Sequence, residues 1–174
     1  MTSSAPVRAV LLALAVLAAL VVQTSVFPHL AWRGVGPDVV LLVVVAAGLV
    51  RGSQTGMVVG FGSGLLLDLA PPADHVAGRW ALALLLVGYV AGRVRQDAPT
   101  GAGETLAAVA VCSFLGTSVF ALTGIFLRDT AAGVPDLLEV VLAGLVWDVA
   151  LALAVIAVVA FARSRVEPRT AAAR

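Results

Sequence analysis

Charge is what this chain of 174 residues has least of: 12% of its residues are charged against 61% hydrophobic, with a mean hydropathy of +1.07. A soluble domain of that length needs charged side chains to cover its surface, so water is excluded as the main solvent. Lysine is missing altogether, the eleven basic residues all being Arg, and the formal net charge is only +1. With no basic run, a nucleic-acid surface is excluded too. One cysteine, Cys112, rules out an intrachain disulfide framework and a CxxC metal site; in the middle of an apolar run it reads as a small buried side chain. Two histidines, His29 and His75, fall in connecting segments without the spacing of a metal-binding helix, and they read as solvated loop residues. Asp68, Asp74 and His75 are too few and too loosely placed to make a metal cluster. No catalytic residue, cofactor site or metal site is assigned.

What the chain does have is apolar runs. The expected class is all-α: a polytopic membrane protein with about six transmembrane helices in one bundle and a single integral membrane domain over 1–174. The helices are expected over about 9–26, 37–50, 54–70, 77–94, 106–127 and 136–161, with a short tail over 162–174. The first run follows Arg8 and is read as an uncleaved helix, because Gln23, Thr24 and Ser25 make no small-x-small cleavage site. The second begins at Gly36-Pro37-Asp38, with Pro preset for a first turn and Asp38 near the positive end of the helix dipole. Spans two and three are short for a bilayer and are expected either to cross with thinning or to form a re-entrant pair.

The positive-inside rule sets the direction. With a cytoplasmic N-terminus, Arg8, Arg51, Arg93, Arg95, Arg163, Arg165, Arg169 and Arg174 fall inside, and Arg33, Arg79 and Arg128 outside. Both termini are therefore expected in the cytoplasm, with Trp32 and Trp80 near the outer interface.

Within the runs, Gly52, Gly56, Gly60 and Gly64 recur every fourth residue, with Gly62 beside them. That spacing makes a flat helix face on which a second backbone can approach closely, the packing that drives helix association in lipid. Asp68 continues the series, either at a tight helix contact or at the headgroups. Gly88 and Gly92, flanking Tyr89, form a second small-residue face, and Gly144, Asp148 and Ala152 a third. Asp148 lies near the middle of its span, so it is expected to face protein or water. Its two readings are an interhelical hydrogen bond that fixes packing, and a proton relay or ligand contact.

In order along the chain, Pro37-Asp38, Arg51-Gly52, the stretch from Gly60-Phe61-Gly62-Ser63-Gly64 to Asp68-Leu69, Gly88-Tyr89-Val90-Ala91-Gly92 and the pair Trp147-Asp148 resemble the MreD family of rod shape-determining membrane proteins. The family's last-helix pair is usually Tyr with Asn or Asp, followed by a Pro that is absent here. The resemblance implies a non-enzymatic scaffold subunit of the cell-elongation machinery in the bacterial inner membrane, supporting lateral peptidoglycan synthesis. It implies MreC as partner, with MreB, RodA and a class B penicillin-binding protein in the same complex and membrane lipid around it, and it leaves room for a homodimer. It also implies a helical bundle similar to the S component of energy-coupling factor transporters. The alternative function is therefore a vitamin-binding transporter subunit, although 6% aromatic residues and few polar groups within the spans argue against a rich ligand pocket.

Overall fold

Long aliphatic runs without interior proline favour helix, and the computed structural model, which describes residues 5–29, 31, 35–71, 75–97, 101–128 and 133–171, is all-helical over them. Trp32, Arg33, Asp74 and Arg174 lie outside the described residues, and beyond residue 158 only the course of the helix is described. The order is α1 (Ala5–Ser25), a single 3-10 turn (Phe27–His29), α2 (Val39–Arg51), α3 (Ser53–Leu69), α4 (Arg79–Asp97), α5 (Ala102–Phe126) and α6 (Val134–Ala171). The last helix does not stop at 161. No glycine or proline interrupts 162–167, so the helix runs past the end of the apolar stretch, and it continues through Pro168 to Ala171. Likewise α5 begins at Ala102 rather than 106, because the Glu104 carboxylate accepts from the Gly101 N–H and closes the first turn.

Among the described residues, three helices, α1 from Pro6 to Ser25, α5 and α6 from Pro135 to Val158, are long and apolar enough to cross a membrane. They are also poorly covered: only 11%, 28% and 22% of their apolar windows are buried by the rest of the chain. Leu11, Val21, Leu122, Val146 and Val158 stand more than half exposed, an apolar shell that a water-soluble monomer does not carry. These features mark a membrane protein.

The shorter α2 sits at the centre and touches each of the other five α-helices. Val40, Leu41, Val44 and Val45 are almost wholly buried on it, and around them gather Val16 and Leu20 of α1, Leu84 and Val87 of α4, Val109 and Cys112 of α5 and Ala152 of α6. Cys112 is buried as the apolar run suggests, its Sγ 3.8 Å from the Val87 carbonyl.

The glycine spacing finds its partner inside the chain. A β-carbon placed on Gly56 would collide with the backbone of Gly88, on Gly60 with that of Leu84, and on Gly64 with that of Trp80 and Ala81. Each four-residue step forward along α3 is a four-residue step back along α4, so the two helices run antiparallel with backbones in contact. Gly88 meets Gly56 reciprocally, Gly92 meets Ser53, and a β-carbon on Gly48 would come within 2.8 Å of the Ala91 methyl group. Gly52 has a different role from the other members of its series. Nothing lies within 4 Å of its missing β-carbon, but its φ of +88° makes the one-residue turn between α2 and α3. Tyr89 turns away from this contact and is 40% exposed.

Replacing Gly60 with Leu forces α3 and α4 apart and is expected to cost at least the ~1–3 kcal/mol typical of overpacking. Gly62→Leu, where the β-carbon meets nothing within 4 Å, is the matched control. Thermal unfolding of the two variants in one detergent checks the difference.

Candidate functional site

A helix start leaves N–H groups without intrahelical partners, and in apolar surroundings each needs a protein acceptor. Three aspartates and a glutamine, in two clusters, supply these acceptors. Asp68, at the last turn of α3, reaches across to the start of α4: its Oδ2 accepts from the N–H groups of Gly78 (2.8 Å) and Ala81 (3.0 Å), and its Oδ1 from the Trp80 N–H (3.1 Å). The residue before α4 is Gly78, whose φ of +100° shapes the turn but which has no side chain to cap with, so the cap comes from α3. The Asp68 Oδ1 also meets His75 Nε2 at 3.1 Å. Asp68 is thus 2% exposed, enclosed at a tight helix contact.

His75 is correspondingly no ordinary solvated loop residue. It is bound to Asp68 and lies edge-on to Phe120, their ring centroids 5.3 Å apart. Among the described residues no three potential ligands gather as a metal site.

The second cluster closes the start of α2. Asp38 Oδ1 accepts from the Leu41 N–H at 2.8 Å, an N-cap on its own helix. The Val40 N–H donates to Gln23 Oε1 of α1 at 2.9 Å, and the Asp38 N–H to Asp148 Oδ1 of α6 at 2.6 Å. The other Asp148 oxygen accepts from Ser113 Oγ of α5, also at 2.6 Å. One buried carboxylate, 1% exposed, therefore ties α2, α5 and α6 together. Of the two readings of Asp148, this geometry supplies the interhelical hydrogen bonds. Gly144, one turn before it, turns towards Thr117 of α5, with 3.5 Å between the methyl group and a β-carbon placed there, and Ala152, one turn after, is buried.

Between the two clusters lies a cavity of about 370 Å³, lined by Gln23, Asp38, His75, Arg79, Trp80, Thr117, Phe120, Gly144 and Asp148 with several aliphatic side chains. Its aromatic wall is the pair Trp80 and Phe120, stacked at 4.3 Å. Arg79, expected on the outer side at the start of the fourth span, opens α4 and is 6% exposed. Its Nη2 donates to the Phe120 carbonyl at 2.7 Å and its guanidinium lies 3.9 Å over the Phe120 ring. Glycine at 124 is what lets that guanidinium approach α5, since a β-carbon there would strike it. Asp38 Oδ2 is buried with no hydrogen-bond partner among the described residues.

The acids Asp38, Asp68 and Asp148, separate candidates in the sequence, are thus brought together with Gln23, His75, Arg79, Ser113 and Phe120, none of which was a candidate site residue in the sequence. A signal existed only for Gln23 and Ser113, polar side chains in otherwise apolar runs. A second recess, an apolar groove of about 700 Å³, runs between α1 and α3, lined by Ala13, Val16, Leu17, Val58, Gly62 and Leu66 among others.

The chain matches no family model, and comparison with curated proteins and with solved structures returns no significant match.

Asp148→Ala strands the Asp38 N–H and the Ser113 hydroxyl and is expected to cost on the order of 1–3 kcal/mol for each group left unsatisfied. Asp148→Asn keeps one acceptor for the Asp38 N–H and gives Ser113 Oγ a donor, so thermal unfolding of that variant is expected near the parent value. Assembly and function retained in Asp148→Asn eliminate a proton relay.

Proposed function

We propose that this chain is a non-enzymatic scaffold subunit of the bacterial cell-elongation machinery, a multi-pass inner-membrane protein that binds MreC. Its six helices cross the membrane as one bundle, with both termini in the cytoplasm and an architecture like that of a transporter S component. The observation that carries this reading is where the family-like segments fall. Pro37-Asp38 and Trp147-Asp148 meet at the start of α2, while the stretch from Gly60 to Asp68 and that from Gly88 to Gly92 form the α3 and α4 contact and its cap. A chain whose recognisable residues build the frame and converge on no set of reacting groups fits a scaffold better than an enzyme.

Gly56, Gly60 and Gly64 are taken up by α4, which leaves the apolar groove between α1 and α3 as the surface proposed for docking the single transmembrane helix of MreC. There Gly62 has open space beside it, Val58 is 74% exposed, and Ala9 and Ala13 are small enough for a helix to come close. MreB, RodA and a class B penicillin-binding protein would join through that partner.

The polar cavity favours a second reading, a vitamin-binding transporter subunit. Thermal stabilisation across a vitamin panel, together with co-purifying transporter ATPases, would favour that reading over the scaffold.

Co-expression with an MreC-family protein from the same organism is expected to give a complex that survives detergent extraction, and Gly62→Leu to reduce its recovery several-fold with the subunit's own thermal stability unchanged. If no complex forms in detergent or nanodiscs, the scaffold assignment fails; if Gly62→Leu assembles normally, the groove is not the docking surface.

A further inference from the structure

The groove between α1 and α3 is polar at one end only. That end lies at the one-residue turn from α2 to α3, where Arg51 and Thr55 line it; the rest of the wall is aliphatic, with Leu12 and Leu17 on α1 and Val58 and Leu66 on α3. The one other hydroxyl in the lining, that of Ser63, is spent on the Val59 carbonyl of its own helix at 2.8 Å. Arg51 is exposed, and among the described residues its guanidinium meets a single acceptor, the Arg8 carbonyl, 3.4 Å from both terminal nitrogens and too far for a good hydrogen bond. No acidic side chain pairs with it there. The run of α3 from Thr55 to Leu66 is about 16 Å long at 1.5 Å per residue, close to the depth of one leaflet of a hydrocarbon core about 30 Å thick. Along that run Leu17, Val58 and Leu66 are 50%, 74% and 42% exposed, so the groove is apolar surface that the chain itself does not cover.

We propose that the groove of the free subunit is a binding site for an anionic glycerophospholipid, with its phosphate on the Arg51 guanidinium and the Thr55 hydroxyl and one acyl chain lying between α1 and α3. A guanidinium meets a phosphate through two parallel N–H donors, and a basic pocket between membrane helices suits an anionic headgroup. A groove with a cation at its mouth and hydrocarbon for the depth of a leaflet matches both parts of such a lipid. The site deepens the scaffold reading and rests on it for one consequence, that the MreC helix enters this groove by displacing the lipid. Lipid binding itself is read on the free subunit, so its failure and the failure of MreC assembly are separate results.

The test titrates the full chain, in a nonionic detergent, with phosphatidylglycerol and with phosphatidylcholine of the same acyl chains, counting bound lipid by native mass spectrometry and following the Tm. Phosphatidylglycerol is expected to bind about fivefold more tightly, the order set by one arginine beside an anionic headgroup. Arg51→Gln is expected to fold and to bring the two lipids level. Gly62→Leu, whose side chain enters the groove, is expected to weaken phosphatidylglycerol binding several-fold, and it decides the matter if Arg51→Gln fails to fold. Inorganic phosphate is expected to leave the Tm unchanged. The assignment is overturned if the parent binds the two lipids equally, if the preference survives in folded Arg51→Gln, if folded Gly62→Leu binds as the parent does, or if inorganic phosphate stabilises the protein as much as phosphatidylglycerol, which marks an anion site without the groove.

Discussion

The rest of the structure depends on one constraint: a helix that begins among apolar side chains must find acceptors for its first N–H groups inside the protein. Here α2 and α4 both begin this way, and each is answered by a carboxylate from another helix. Asp68 of α3 holds the start of α4, and Asp148 of α6 holds the residue that caps α2. These bonds fix more than stability. Because each carboxylate oxygen is matched to a particular N–H, they set the register between helices whose aliphatic faces would otherwise slide on one another at little cost. Ser113 and Gln23 extend the same logic to α5 and α1, so that every α-helix of the bundle meets at least one of the two clusters.

The glycine contact does complementary work at close range. Along α3 and α4 the backbones touch at four-residue intervals, which is possible only where side chains are absent or very small. This packing supplies dispersion and excludes lipid, but by its repetition it could be satisfied in more than one register, four residues apart. Asp68 removes that freedom, since only one register brings its oxygens to the N–H groups of Gly78, Trp80 and Ala81. A repeating surface and a single polar lock at its end together give one answer where neither would alone.

The two recesses follow from the same frame. The polar cavity exists because the caps gather acids, an arginine and aromatic rings at one end of the bundle, and the helices that carry them cannot all close over the gap. The apolar groove exists because α1 leans on α2 and stands apart from α3, leaving a gap between them. The cavity is walled largely by groups already engaged with one another, whereas the groove stays open, apolar along its length with Arg51 at one end.

Hydropathy and periodicity made the helices, their order and the membrane setting legible, because burial of apolar surface is a property of each run taken separately. The four-residue glycine spacing likewise announced a close helix contact, and the polarity of Asp148 inside an aliphatic run announced a hydrogen-bonded acid. Which helix lies against the glycines, and which N–H groups the acids hold, were decided only by the tertiary structure. Asp38 and Asp148 are 110 residues apart, and no local rule couples them. His75 read as a loop residue, and Arg79 only as an outer-side charge at the start of its span, until the fold set them against Asp68 and Phe120. Sequence determines which groups must be satisfied; three-dimensional packing decides by whom, because the acceptor for a helix start can come from any segment that the fold brings within about 3 Å.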